Sequence, residues 1–360
     1  MYTMYKKKCF PMATRTLSCL LAVVALYIMA APLGAAAGQL PDLIPVGHTV
    51  GVRLHVDGVV VTELSAVDTS EGSRCPAREA GLMPGDTITH VEKKAVSDYQ
   101  SLKAALEKSG GKAVTLRVRR EGQMLSLALT PVRASDGSHR LGALIRDNMA
   151  GIGTVTFYDP RTGQFGALGH CICDAQSRIP PFDGGAIYDA TVKEIIRGAV
   201  GKPGELRGEF ASRRSIGPLL ANTDEGIFGL LEDPSLIKDA ALVPTAAASE
   251  MRTGPAVILA NVQGDVVRCY DIEILKIYAA DAPNHRHFML KVTDPELLEL
   301  TGGIVQGMSG SPVLQNGKLV GAVTHVLVGD PKRGYGLFIE SMIDAGNACL
   351  PTLGALETAA

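Results

Sequence analysis

Two serines separated by one glycine, Ser309 and Ser311, sit in the stretch Gly303–Val326, GIVQGMSGSPVLQNGKLVGAVTHV. A plain turn needs one or two glycines; here Gly307, Gly310 and Pro312 bracket the two hydroxyls. A serine becomes a nucleophile when a base takes its proton, an acid orients that base and backbone donors hold the oxyanion. The turn Gly307–Gly310 can supply the last of these by aiming the N–H groups of Gly307 and Ser309 at one point. Ser309 is therefore the expected nucleophile. Ser311, directly before Pro312, is expected to satisfy local backbone groups. His170, closing the short run GALGH, is the expected base. His325 in AVTHV reads as a packed strand histidine, and His285 and His287 as solvated loop residues. The residues alone leave the acid open between Asp294, Asp265 and Asp271. Cys171 is not expected to be the nucleophile, because neighbours in a strand face opposite sides. Position 303, six before Ser309, is glycine, so no acidic group that would select a basic substrate side chain is expected there.

The elements that must position these groups are mostly strands. PVLQNGKLVGAV reads as a hairpin with Asn316-Gly317 at its tip. GIGTVTFYDPRTGQFGALGH reads as strand, turn over Asp159 to Gly163, and a strand ending at His170. DVVRCYDIEILKIYAAD and RHFMLKVTD alternate in the manner of half-buried strands. Helical periodicity is weak until FIESMIDAGNAC near the C-terminus. Repeated short strands with Gly and Pro turns predict a sandwich or barrel. Upstream, VGVRLHVDGVVVTEL reads as a hairpin about Asp57-Gly58. A short helix stops at Gly81, a strand covers Thr87 to Val91, and a helix capped at Ser97 or Asp98 stops at Gly110-Gly111. AVTLRVRREGQMLSLALTPV then reads as a hairpin through Glu121-Gly122.

A chain of 360 residues predicts about two domains. A formal net charge of -2 argues against nucleic acid as a partner. The cysteines show no disulfide framework. Cys171 and Cys173 beside His170 lack the second ligand pair a zinc site needs, so no metal and no cofactor are expected. The N-terminal residues 1–38 carry Lys6, Lys7, Lys8 and Arg15, then an apolar run from Leu17 to Ala31 broken only by Ser18. This pattern predicts a signal peptide or signal anchor, with the rest of the chain exported. Ala35-Ala36-Ala37 fits a cleavage site.

The segment Ala80-Gly81-Leu82-Met83-Pro84-Gly85-Asp86 and the helix from Asp98 to Lys108 resemble a PDZ domain of the bacterial protease-associated type. That resemblance implies a PDZ-like domain over 46–133 that adds a peptide as a strand. The peptide-binding segment would fall near Val56 to Val61, with Val59, Val60 and Val61 as candidate contacts, although the Gly-Leu-Gly-Phe pattern is absent. GMSGSP followed by a hairpin resembles the chymotrypsin-like serine signature. Together, the exported N-terminus, the PDZ-like module, GALGH and GIVQGMSGSPVLQNGKLVGAVTHV resemble the stage IV sporulation protein B family of serine peptidases. The resemblance implies a mainly β chain with a chymotrypsin-like double β-barrel over 141–350. It implies a triad of His170, Asp294 and Ser309, with Gly307 and Ser309 N–H groups as the oxyanion hole. It further implies a self-processing serine endopeptidase of sporulation signalling. Its substrate would be the extracytoplasmic part of a membrane-bound regulator, in the space between mother-cell and forespore membranes. The competing reading is a non-catalytic PDZ-containing adaptor of the cell envelope.

Overall fold

The computed structural model of the chain describes residues 40–174, 177–180, 182–238, 240–281 and 285–350, so the export segment expected over 1–38 lies outside it. Among the described residues no helix is long and apolar enough to cross a membrane. In chain order, the first part contains β1 (Thr49–Leu64), α1 (Pro76–Glu79), β2 (Thr87–Val91), α2 (Tyr99–Ser109), β3 (Val114–Arg120) and β4 (Gln123–Leu129). Then come β5 (Ala143–Asp159), β6 (Gln164–Ala167), β7 (Phe182–Ile196), β8 (Glu205–Thr223) and β9 (Gly226–Leu230). The last part contains β10 (Gly254–Ala260), β11 (Arg268–Ile277), β12 (Phe288–Val292), α3 (Pro295–Thr301), β13 (Pro312–Gln315), β14 (Lys318–Val326), β15 (Arg333–Phe338) and α4 (Ile339–Cys349).

Two six-stranded barrels follow from the pairing. In the first, β1 pairs β5, β5 pairs β6, β6 pairs β9, β9 pairs β8, β8 pairs β7, and β7 returns to β1. Val50, Val52, Leu54, Phe165, Ile187 and Ile227 fill its interior. The second closes in the order β10-β11-β12-β15-β14-β13 around Ile258, Ile272, Phe288, Leu290, Val313 and Val323. Full closure removes the exposed edges that open sheets leave for aggregation. The fold is thus the double β-barrel the resemblance implies. The hairpin tips fall where expected, with positive φ at Glu121 and Gly122 and at Asn316 and Gly317.

The domain boundaries lie elsewhere than 46–133 and 141–350. Strand β1 belongs to both bodies. Its first half, Thr49 to His55, pairs with Thr154 to Asn148 of β5 and with β7 in the first barrel. Its second half pairs Val59 and Val60 with β2, and Val60 to Leu64 with Arg146 to Ala143 of β5. The PDZ-like module is therefore inserted into the first barrel, whose first strand precedes it. For the same reason no hairpin forms at Asp57-Gly58; one continuous strand passes from barrel to module. The module has its own core of Val59, Ile88, Leu102, Leu116 and Leu129. Asp98 caps α2 by accepting from Ser101 N, and Gly110 ends the helix in the left-handed region.

Candidate active site

His170 and Ser309 arrive at one cleft from different barrels. His170 follows β6 of the first; Ser309 precedes β13 of the second. Between them lies a hollow of about 510 Å³, lined by both residues and by Gly307, Cys171, Cys173 and His325, among others.

The backbone leading to His170 is unusual. Leu168 has φ 69° and Gly169 φ 67°. A bulky residue in the left-handed region costs on the order of 1–3 kcal/mol and persists only where its surroundings impose it. Two contacts do so. Leu168 N donates to Thr154 O at 3.1 Å. Beyond the histidine, Asn222 grips the loop at both ends of one residue, accepting from Ile172 N and donating to Ile172 O, each at 2.8 Å. The Nδ1 of His170 lies 2.8 Å from Cys171 O. A carbonyl only accepts, so Nδ1 carries the proton and Nε2 is the free lone pair. Burial pushes the imidazole below the ordinary histidine value, with the Cys171 carbonyl acting the other way. His170 is therefore neutral at pH 7 and able to accept a proton.

At the serine turn, Gly307 and Gly310 have φ of 99° and 96°. A Cβ on Gly310 would stand 2.0 Å from Thr154 O and 2.5 Å from Leu168 N, so only glycine fits. The carbonyls of the turn are turned away from the cleft. Gly307 O accepts from Thr154 Oγ1 at 2.8 Å, Ser309 O from Thr154 N at 2.9 Å, and Gly310 O from Thr156 Oγ1 at 2.7 Å. Gln306 O accepts from Leu206 N, and Met308 O from Ser311 N. In a planar peptide the N–H points opposite to the C=O. The N–H groups of Gly307 and Ser309 are thus left facing away from those partners, and neither finds a protein acceptor among the described residues. Ser309 Oγ donates to Thr324 O at 2.7 Å.

The rival groups separate cleanly. Ser311 is fully buried, and among the described residues its Oγ has no partner instead of satisfying local backbone as expected. His325 faces the cleft with its ring 5.1 Å from that of His170. Partial loss of hydration, then His170 and Arg286, push it down to about 4, although its outer surface stays exposed. His287 is not solvated: it is buried, stacks on Phe338 at 4.6 Å and accepts from Phe338 N through Nδ1. Cys171 and Cys173 lie in an irregular loop rather than a strand, so face alternation does not separate Cys171 from His170; both thiols line the cleft, their sulfurs 2.8 Å apart. What disqualifies Cys171 as a nucleophile is burial, which with Cys173 pushes its thiol up to about 12.

Asp294 is not brought to His170. Its carboxylate caps α3, accepting from Leu297 N at 2.9 Å and from Asp271 N at 3.3 Å. Among the described residues no hydrogen bond joins it to the imidazole. The Asx-Pro pair that begins a helix accounts for this residue. The peptide-binding positions Val59, Val60 and Val61 also need correction. Val59 and Val61 are fully buried, and the segment is paired by β2 on one side and by β5 on the other, so no strand can be added there. The module's open hollow, about 410 Å³, lies instead between α2 and the start of β5, lined by Tyr99, Leu102, Leu106, Leu141 and Ile145. There, among the described residues, Ala143 to Arg146 pair with β1 alone. Thr154, Thr156 and Asn222 were not foreseen; each is an ordinary polar residue in a strand, and only the fold reveals its partners.

The family model described as SpoIVB peptidase S55 matches residues 137–343, more than half of the chain. A PDZ domain model matches residues 67–120. Two curated relatives match a shorter segment, each described as "Putative zinc metalloprotease". That of Treponema pallidum (strain Nichols) is 29% identical over 94 residues, 26% of this chain and 20% of the relative. That of Lactococcus lactis subsp. lactis (strain IL1403) is 33% identical over 114 residues, 32% of this chain and 25% of the relative. The chain thus spans only about a fifth to a quarter of the length of these relatives. Solved structures that resemble it include the Rv3671c protease in its inactive form, 16% identical over 56% of this chain and 83% of that one, with a TM-score of 0.29. The active form from M. tuberculosis is 15% identical over 57% and 74%, with a TM-score of 0.31. The serine protease AL20 from an extremophilic microorganism is 12% identical over 55% and 91%, also with a TM-score of 0.31. TM-scores this low do not establish a shared architecture.

Proposed function

This chain belongs to the SpoIVB peptidase S55 family, and we propose that it is a serine peptidase with Ser309 as its nucleophile and His170 as its general base. One observation carries this assignment: Ser309 shares a cleft with a neutral histidine and with two unpartnered backbone N–H groups, whereas Ser311 is sealed in the core. The Ser309 hydroxyl exchanges Thr324 O for His170 Nε2. As Oγ attacks the peptide carbonyl its proton passes to Nε2, and the oxyanion settles on the N–H groups of Gly307 and Ser309. His170 then returns the proton to the leaving amine, and water repeats the sequence on the acyl-enzyme. The Cys171 carbonyl performs the orienting part of an acid's work by fixing the tautomer. It carries no full charge, so it stabilises the imidazolium less than a carboxylate would. Among the described residues the cleft lining contains no acidic, lysine or arginine side chain, and Ile152, Leu168, Ile304, Val305, Val326 and Val328 make its walls apolar. Uncharged, apolar substrate side chains next to the cut are therefore favoured.

The family supports a finer role. The substrate is read as the extracytoplasmic part of a membrane-bound regulator of sporulation, cut between mother-cell and forespore membranes after export through residues 1–38. Self-cleavage between Ala37 and Val50 would release the protease. An N-terminus identical in wild type and Ser309→Ala would remove the self-cleavage claim. The assignment of the nucleophile is tested by assaying peptide hydrolysis side by side. Ser309→Ala should lose more than ~10³-fold, as expected for a nucleophile, and Ser311→Ala should keep most of its activity. The opposite order would overturn it.

A further inference from the structure

Thr154 belongs to the first barrel, yet it holds the second barrel's serine turn. It is 1% exposed. Its N–H donates to Ser309 O, its Oγ1 donates to Gly307 O at 2.8 Å, and its carbonyl accepts from Leu168 N two residues before His170. One buried residue therefore touches the approaches to both catalytic groups. The peptide between Gly307 and Met308 lies between the two oxyanion donors. Glycine at φ 99° imposes little local preference on that peptide. Its N–H, on Met308, donates within the turn to Val305 O; its carbonyl is held from across the barrel boundary by the Thr154 hydroxyl. An uncompensated rotation of that peptide about Gly307 would carry Met308 and Ser309 with it and change the angle between the N–H groups of Gly307 and Ser309.

We propose that Thr154 is a positioning residue for hydrolysis, fixing the oxyanion hole from the opposite barrel through its hydroxyl. This rests on the reading of Ser309 as nucleophile. It acts in the transition state, where the oxyanion exists, and leaves substrate binding in the ground state almost untouched.

The test uses the full chain and an alkyl fluorophosphonate, whose phosphoryl oxygen must enter the same hole as Ser309 is modified. The saturating labelling rate and the half-saturating concentration are measured for wild type, Thr154→Val and Thr154→Ser, below the melting temperature of each. Valine keeps the shape and removes the donor. It should lower the saturating rate at least about tenfold, short of the roughly 10²–10³-fold that follows loss of a donor outright. The half-saturating concentration should stay within about threefold, and serine, which keeps Oγ, should restore the rate; that split is what a transition-state role requires. Thr154→Ala serves as the second donor-free variant if valine does not fold. A wild-type rate in a folded donor-free variant, or a serine variant as slow as valine, overturns the proposal. Absence of labelling at Ser309 in wild type would instead overturn the reading beneath it.

Discussion

At Ser309 the hydroxyl already has a partner, the carbonyl of Thr324 at 2.7 Å, and the His170 Nδ1 has another in Cys171 O. In the proposed mechanism attack therefore begins with an exchange of one hydrogen bond for another at similar cost, a common state of a site without substrate. Asp294 sits outside this exchange. Asp294→Asn should weaken the cap of α3, costing about 1 kcal/mol or less because asparagine also caps well, and should leave most of the activity. A fall of about 10⁴-fold in kcat, as for loss of a triad acid, would show that Asp294 reaches His170 after all. The two cleft histidines set a pH dependence. Both have folded values below the unfolded value of about 6.5. Below that pH the unfolded chain binds protons that the folded chain refuses, so stability should fall as pH drops from 6.5 toward about 4, the folded value of His325. Above 6.5 neither state is charged and the contribution vanishes. Thermal melts of wild type and His325→Gln across pH 4 to 7 check this; a wild-type slope no steeper than that of the variant would contradict it. For the same reason the acid limb of kcat/KM should lie below the ordinary histidine value.

Among elements, the ones that matter most are the irregular loop after β6 and the long strand β5. Asn222, at the end of β8, holds that loop through both polar groups of Ile172. Asn222→Ala leaves those groups without a partner, at a cost of about 1–3 kcal/mol. It should lower kcat more than it raises KM, because His170 loses its fixed approach. Steady-state kinetics with amide exchange at Ile172 would check it, and unchanged kcat with faster exchange would show that the loop needs no anchor. The turn Gly307–Gly310, the strand that leads toward His170 and the two positive-φ hairpin tips were legible in the sequence because glycine position and strand alternation are local signals; that this strand stops at Ala167, three residues before His170, was not. Asp57-Gly58 misled because a turn-like pair inside a 16-residue strand, β1, looks the same as a turn. The boundaries 46–133 and 141–350 failed for a related reason: composition does not report that one strand enters two bodies. The grip of Thr154 and Asn222 was invisible because their partners lie 153 and 50 residues away in sequence.

For the whole molecule, the inserted module and the peptidase share two continuous strands, so the barrel cannot be obtained by cutting at the module's end. A chain beginning at residue 134 lacks β1, leaves the first barrel open between β5 and β7, and should not fold. Replacing residues 56–147 with Asn-Gly joins His55 to its register partner Asn148 by a two-residue turn suited to antiparallel strands. That variant should fold and keep fluorophosphonate reactivity. A folded, active chain from residue 134 onward would contradict the inserted arrangement. The two barrels have one chemical purpose in this account, which is to bring a base from the first to a nucleophile on the second. The most direct test is to treat the full chain with a fluorophosphonate and map the adduct by peptide mass spectrometry. A single adduct on Ser309, absent in Ser309→Ala and strongly slowed in His170→Ala, is the predicted result. An adduct on Ser311, or labelling of Ser309 that proceeds at the wild-type rate without His170, would contradict it.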